Sequence, residues 1–162
     1  MIRADRGEGR IIAASLLLAF LLSALPFPPW ASAWQPAWVA LAVVFWCMVL
    51  PERVGILSAW ALGLVLDALK GTLLGQHAAA LAIAAYLTVA YNRRLRVFPL
   101  FQQSLFVGLM VAIDALIATW VRGISGLDSQ QGAVWLPVLS SILLCPWAFL
   151  LLHDLRRRCG AQ

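Results

Sequence analysis

The sequence predicts an all-α integral membrane protein, a bundle of six transmembrane helices with both termini cytoplasmic. Three observations predict it. Of 162 residues, 63% are apolar and only 12% charged, whereas a soluble domain carries roughly 45–50% apolar and about 25% charged residues. Apolar runs fill nearly everything between residues 11 and 152, room for five or six crossings at about 20 residues each. The basic residues, finally, gather at alternate ends of those runs. A single polytopic membrane domain over residues 1–162 follows, because no stretch is left for a separate soluble unit.

The first segment, residues 11–25, follows a head containing Arg3, Arg6 and Arg10 and stops at Pro26-Phe27-Pro28-Pro29-Trp30, where proline disfavours further helix. Head, apolar core and Ala31-Ser32-Ala33 imitate a cleavable signal peptide, but the chain begins at Met1 and the segment is expected to be a retained helix. The second segment, 36–50, opens on Pro36, a good first helical residue, and turns at Pro51-Glu52-Arg53. The third, 54–74, carries Asp67 and Lys70; Gly75-Gln76-His77 turns the chain into the fourth, 78–91. After the polar stop Asn92-Arg93-Arg94-Leu95-Arg96, Pro99 opens the fifth segment, 100–121, which contains Asp114. A glycine-rich polar stretch, 122–132, reads as a loop. The sixth segment, 133–152, is interrupted by Pro137 and by Pro146-Trp147 and ends in His153-Asp154-Leu155-Arg156-Arg157-Arg158.

Several of these segments are short for a crossing, so each taken alone could be an interfacial or buried helix. Charge argues for the full count. With six spans and a cytoplasmic N-terminus, the inner pieces hold Arg3, Arg6, Arg10, Arg53, Arg93, Arg94, Arg96, Arg156, Arg157 and Arg158, and the outer pieces only Lys70 and Arg122. Dropping one helix from the middle would put consecutive basic clusters on opposite sides. The outer helix ends are aromatic instead, with Phe27, Trp30, Trp34, Trp38 and Trp120 forming an interfacial belt.

Composition and motif content exclude several function classes. The net charge of +5 is spent on topology clusters and lipid headgroups, without the continuous basic surface that nucleic-acid binding requires. Cys47, Cys145 and Cys159 show no CxxC or Cys/His spacing, so neither a disulfide framework nor a metal site is expected. No paired Ser/Lys or Ser/His, HExxH, phosphate loop or aspartate pair at helical spacing is present. The expectation is a non-enzymatic protein with no catalytic residues and no cofactor.

What polarity the apolar segments hold is concentrated. Gly55, Ala59, Gly63, Asp67, Gly71 and Gly75 recur at every fourth residue, a small-residue stripe that lets another helix approach closely. The alanine-rich fourth segment is its natural neighbour, and an intermolecular contact or small-ligand cavity is the alternative. Asp67 and Asp114 both lie roughly 20 Å from their inner helix ends, at one level in the outer half of the bilayer. A carboxylate there must face the interior, take a partner or be protonated. Lys70, three residues beyond Asp67, is the expected counter-ion. His77 and His153 read as interfacial, and the Arg93-Arg94-Leu95-Arg96 and Arg156-Arg157-Arg158 clusters as topology signals with a second role at anionic lipid or a cytoplasmic partner.

Several strings carry a family resemblance. Pro36-Ala37-Trp38-Val39-Ala40-Leu41 leading to Trp46, Leu50-Pro51-Glu52-Arg53-Val54-Gly55, Leu66-Asp67-Ala68-Leu69-Lys70-Gly71-Thr72-Leu73-Leu74-Gly75, Arg94-Leu95-Arg96-Val97-Phe98-Pro99-Leu100-Phe101-Gln102-Gln103 and Pro146-Trp147 resemble, in order and spacing, the rod shape-determining protein MreD family. The resemblance spans residues 10–158 and is most specific over 36–103. Gln35, where many relatives have arginine, and Lys70, inside the aspartate-glycine motif, depart from the pattern. The resemblance implies an inner-membrane component of the bacterial elongation machinery that partners MreC and works with MreB, RodA and a class B penicillin-binding protein in lateral peptidoglycan synthesis. It also implies a fold similar to the substrate-binding subunits of ECF-type vitamin transporters. A small-molecule carrier or binding subunit is the alternative function.

Overall fold

A computed structural model describes residues 2–25, 28, 34–124 and 135–160. Among the described residues the chain is all-helical: α1 (Ile2–Ala24), α2 (Trp38–Val49), α3 (Ile56–Lys70), α4 (Gln76–Ala90), the single-turn α5 (Asn92–Leu95), α6 (Leu100–Ile124) and α7 (Leu136–Gly160). The second apolar segment becomes the axis of the bundle. α2 touches α1, α4, α6 and α7, and around it α1, α7, α6, α4 and α3 follow one another as neighbours, with α3 closing lightly back onto α1. The centrality of α2 follows from its composition, because Trp38 to Val49 holds no charged residue and no polar face, and a helix that is apolar all round is buried on all sides. Val39 and every residue from Leu41 to Met48 are buried. Phe45 meets Trp46, Phe149 and His153 edge to face, with ring centroids 5.2–5.3 Å apart, an arrangement that aromatic quadrupoles favour.

A buried helix must still satisfy its ends. α2 does so with side chains from elsewhere in the chain. At its start the Ala37 N–H donates to Ser141 Oγ of α7 at 3.0 Å. At its finish Arg96 donates through its guanidinium to the carbonyls of Met48 and Val49, both at 2.9 Å. Midway, the Trp46 indole donates to Ser15 Oγ of α1 at 2.8 Å, and that hydroxyl donates on to the Ile12 carbonyl. Arg96, read from sequence as part of a topology cluster, is therefore also the C-terminal cap of the central helix, where a cation complements the exposed carbonyls.

The helices depart from the expected segments in ways that have local causes. α1 takes in the basic head. Pro36 precedes α2, whose first residue is Trp38. α3 ends at Lys70 because Gly71 adopts a left-handed conformation with φ 63°, which closes the helix with an N–H bonded back to Asp67. Pro137 and Pro146 do not interrupt α7. Pro137 sits in the first turn, where no N–H bond is lost, and an interior proline such as Pro146 is tolerated in an apolar helix whose neighbours stabilise it.

Peripheral helices turn large apolar side chains outward: Leu17 and Leu21 on α1, Leu57 and Trp60 on α3, Phe101 and Trp120 on α6, Leu143 and Trp147 on α7. An apolar solvent accounts for such a surface. Within α6 and α7, Leu100–Val121 and Leu136–Leu155 are long and apolar enough to cross a membrane. α2, α3 and α4, with 12, 15 and 15 residues, reach about 18–22 Å, short of the roughly 30 Å hydrocarbon core. Of the expected aromatic belt, Trp34 and Trp120 are exposed and Trp38 half-buried, while Phe27 and Trp30 lie outside the described residues.

Two outcomes test this packing. A Cβ on Gly63 would overlap the backbone of Ala78 on α4, whereas one on Gly123 meets nothing within 4 Å. Gly63→Ala is expected to cost about 1–3 kcal/mol in detergent unfolding, and Gly123→Ala to change stability by less than about 0.5 kcal/mol. Arg96→Met should cost about 1.5–3 kcal/mol through the lost charge-assisted bonds to the Met48 and Val49 carbonyls, a loss that Arg93→Met, which leaves those bonds in place, does not share.

Candidate functional site

The polar centre of the molecule is built where α3 turns into α4. Asp67 lies in the last turn of α3 and is fully buried, at 0% exposure. Its Oδ1 accepts from Thr72 Oγ1 at 2.9 Å, from the His77 N–H at 3.0 Å and, at 2.8 Å, pairs with His77 Nδ1. Its Oδ2 accepts from the Gly75 N–H at 2.9 Å and the Ala78 N–H at 3.3 Å. These are the donors that open α4, which has no side-chain cap of its own at Gly75. An N-cap aspartate normally precedes the helix it caps. Here the preceding helix supplies it, and a carboxylate at a helix N-terminus also meets the positive end of the helix dipole.

Geometry at the turn explains the glycines. Gly71 has φ 63° and Gly75 φ 105°, a backbone region that a side chain strains, and neither would meet a neighbour through an added Cβ. The every-fourth-residue stripe thus has two physical origins. Ala59, Gly63 and Asp67 are buried, and Gly63 lies directly against α4; Gly71 and Gly75 lie past the end of α3 and shape the turn.

His77 extends the site to a third helix. It is buried, in the first turn of α4, and its Nε2 stands 3.9 Å from Asp114 Oδ2 on α6, beyond hydrogen-bond length. Asp67 and Asp114 are thus joined through an imidazole, with His77 Nδ1 against the first carboxylate and Nε2 facing the second. Asp114 remains one-quarter exposed, and its Oδ1 is buried without a hydrogen-bond partner.

Two expectations are corrected. Lys70 is not what fills the Asp67 carboxylate: five contacts from Thr72, Gly75, His77 and Ala78 do so, about the capacity of its lone pairs. The lysine is instead exposed, with its charge within electrostatic reach of Asp114. Nor is His77 a bland interfacial residue, being the link of the whole site. The signal for it was the Asp67–Gly71–Gly75 spacing, which returns the chain on itself just before residue 77. Of the basic clusters, Arg93 and Arg94 are exposed beside the end of α4, Arg96 caps α2, and Arg157 is exposed on α7. The side chains of Arg156 and Arg158 lie outside the described residues.

The arrangement is suited to holding helices together. The hydroxyl nearest the histidine, on Thr72, donates to Asp67, and no group of three potential metal ligands occurs among the described residues. Removing the carboxylate strands three backbone N–H groups. Asp67→Ala is therefore expected to lower unfolding stability by at least about 3 kcal/mol, Asp67→Asn by less, and Lys70→Gln by under about 1 kcal/mol. A loss for Lys70→Gln equal to that for Asp67→Ala in the same unfolding series would restore the lysine as the essential partner.

Comparison with known proteins covers the stretch that holds this site. The family model described as rod shape-determining protein MreD matches residues 7–155, a stretch that contains α2, α3, α4 and α6 entire. The rod shape-determining protein MreD of Haemophilus influenzae (strain ATCC 51907 / DSM 11121 / KW20 / Rd) is 33% identical over 147 residues, covering 91% of each chain. No solved structure matches the chain. With the aspartate-glycine turn inside so extended a match, the chain belongs to the rod shape-determining protein MreD family.

Proposed function

We propose that this rod shape-determining protein is a non-enzymatic, multi-pass component of the bacterial inner membrane, and that it scaffolds the elongation complex through contact with MreC. In this reading the six apolar segments all cross, both termini are cytoplasmic, and MreB, RodA and a class B penicillin-binding protein assemble with the pair in lateral peptidoglycan synthesis. Charge asymmetry supports the six crossings. The short α2 and α4 fit in that side chains of other elements meet both ends of α2 and the start of α4. A likeness to the substrate-binding subunits of ECF-type vitamin transporters belongs to the same proposal and rests on the family resemblance.

The observation that carries the scaffold reading is the position of α3. This helix packs chiefly on α4 and leaves Leu57, Trp60, Val65 and Leu69 exposed, an uncovered apolar face at the rim of the bundle. Asp67 and Gly63 are used inside the hairpin, so a partner meets side chains of this outer face and not the polar motif itself. The carrier alternative has less support, because the centre of the bundle is filled by α2 and Asp67 is fully bonded within the hairpin.

Co-purification with MreC tests the contact. The triple variant Leu57→Ala, Trp60→Ala, Val65→Ala, which leaves the Asp67 cap intact, is expected to reduce capture about tenfold, equivalent to roughly 1.4 kcal/mol. Undiminished capture by a variant that still inserts would remove α3 from the interface.

A further inference from the structure

A second polar feature lies at the opposite end of α4. There a cleft of about 660 Å³ opens between the α2–α3 turn and the end of α4, lined by Pro51, Ala90, Tyr91, Asn92, Arg93 and Arg94. Both arginines are exposed. Arg96 is committed to the α2 cap, and the neighbouring turn offers Glu52 and Arg53 in equal and opposite charge. The charge the cleft presents is therefore that of Arg93 and Arg94, both of which line it, and a guanidinium group suits phosphate oxygens.

Ala90 belongs to a second feature as well. Ala79, Ile83, Tyr86 and Ala90 are the exposed residues of one face of α4, spaced by four, three and four. They make an apolar track about 16 Å long that ends in the basic cleft. That length is close to half the roughly 30 Å hydrocarbon core, the depth of one leaflet. A basic head site continuous with a leaflet-deep apolar track has the shape of one amphiphile. We propose that this cleft binds an anionic phospholipid, with its phosphate on Arg93 and Arg94 and an acyl chain along the outer face of α4. The proposal rests on the multi-pass reading for its leaflet, which is the cytoplasmic one. It does not depend on MreC.

Lipid capture by the full-length protein in detergent, read by native mass spectrometry, separates the two questions because neither orientation nor partner enters it. Wild type is expected to retain dioleoyl phosphatidylglycerol at least about tenfold more tightly than dioleoyl phosphatidylcholine, and R93Q/R94Q to lose that preference. R10Q/R157Q removes the same charge from two other exposed positions and is expected to keep it. Equal preference in wild type and R93Q/R94Q, or equal loss in both double variants, would overturn the site. Displacement of the bound lipid by inorganic phosphate at equal concentration would reduce it to a bare anion site. Displacement by a tetraglutamate peptide would reassign it to an acidic protein segment. Either result ends the phospholipid proposal.

Discussion

Every helix end buried in an apolar bundle leaves backbone groups that water cannot reach, and satisfying them is the constraint on which the rest of this structure depends. The chain meets it by exchange between helices. α3 gives a carboxylate to the start of α4, α7 gives a hydroxyl to the start of α2, and the turn after α5 gives a guanidinium to the end of α2. Short helices become possible on these terms. The ends of a 12-residue helix are then met by side chains of other elements.

The same exchange explains where polarity is found. A charged side chain in a bilayer interior is costly unless it faces partners, and Asp67 has five donors around it. His77 then faces Asp114 on α6, at the seam where α4 of the hairpin packs against α6. The family to which the chain belongs is concerned with cell shape. In this member Asp67 and His77 of the hairpin turn inward and large apolar side chains face outward.

Much of this was legible in the sequence. Apolar runs located the helices, and the fourfold spacing from Gly55 to Gly75 drew attention to the hairpin. The level shared by Asp67 and Asp114 follows from helical rise alone. Other features were not legible, for a common reason. Ser141 caps a helix 104 residues upstream and Arg96 one 47 or 48 residues upstream, and no local pattern marks a side chain for use so far away. Helical spacing puts Lys70 on the face of Asp67. It does not report that a carboxylate has already been filled by the turn that follows. Pro146 read as a break because sequence shows the missing N–H but not the neighbouring helices that make its loss tolerable.

The two kinds of cap differ in when they can be made. All the ligands of Asp67 lie between residues 72 and 78, so the α3–α4 hairpin can close as soon as that short stretch has left the ribosome, at little cost in loop entropy. The central helix is synthesised earlier and completed later. Its C-terminal carbonyls wait for Arg96 and its first N–H for Ser141. During synthesis, then, the most buried helix of the finished protein is the least finished one. A chain stopped before the last helix would hold a well-formed hairpin beside a core with one end still open.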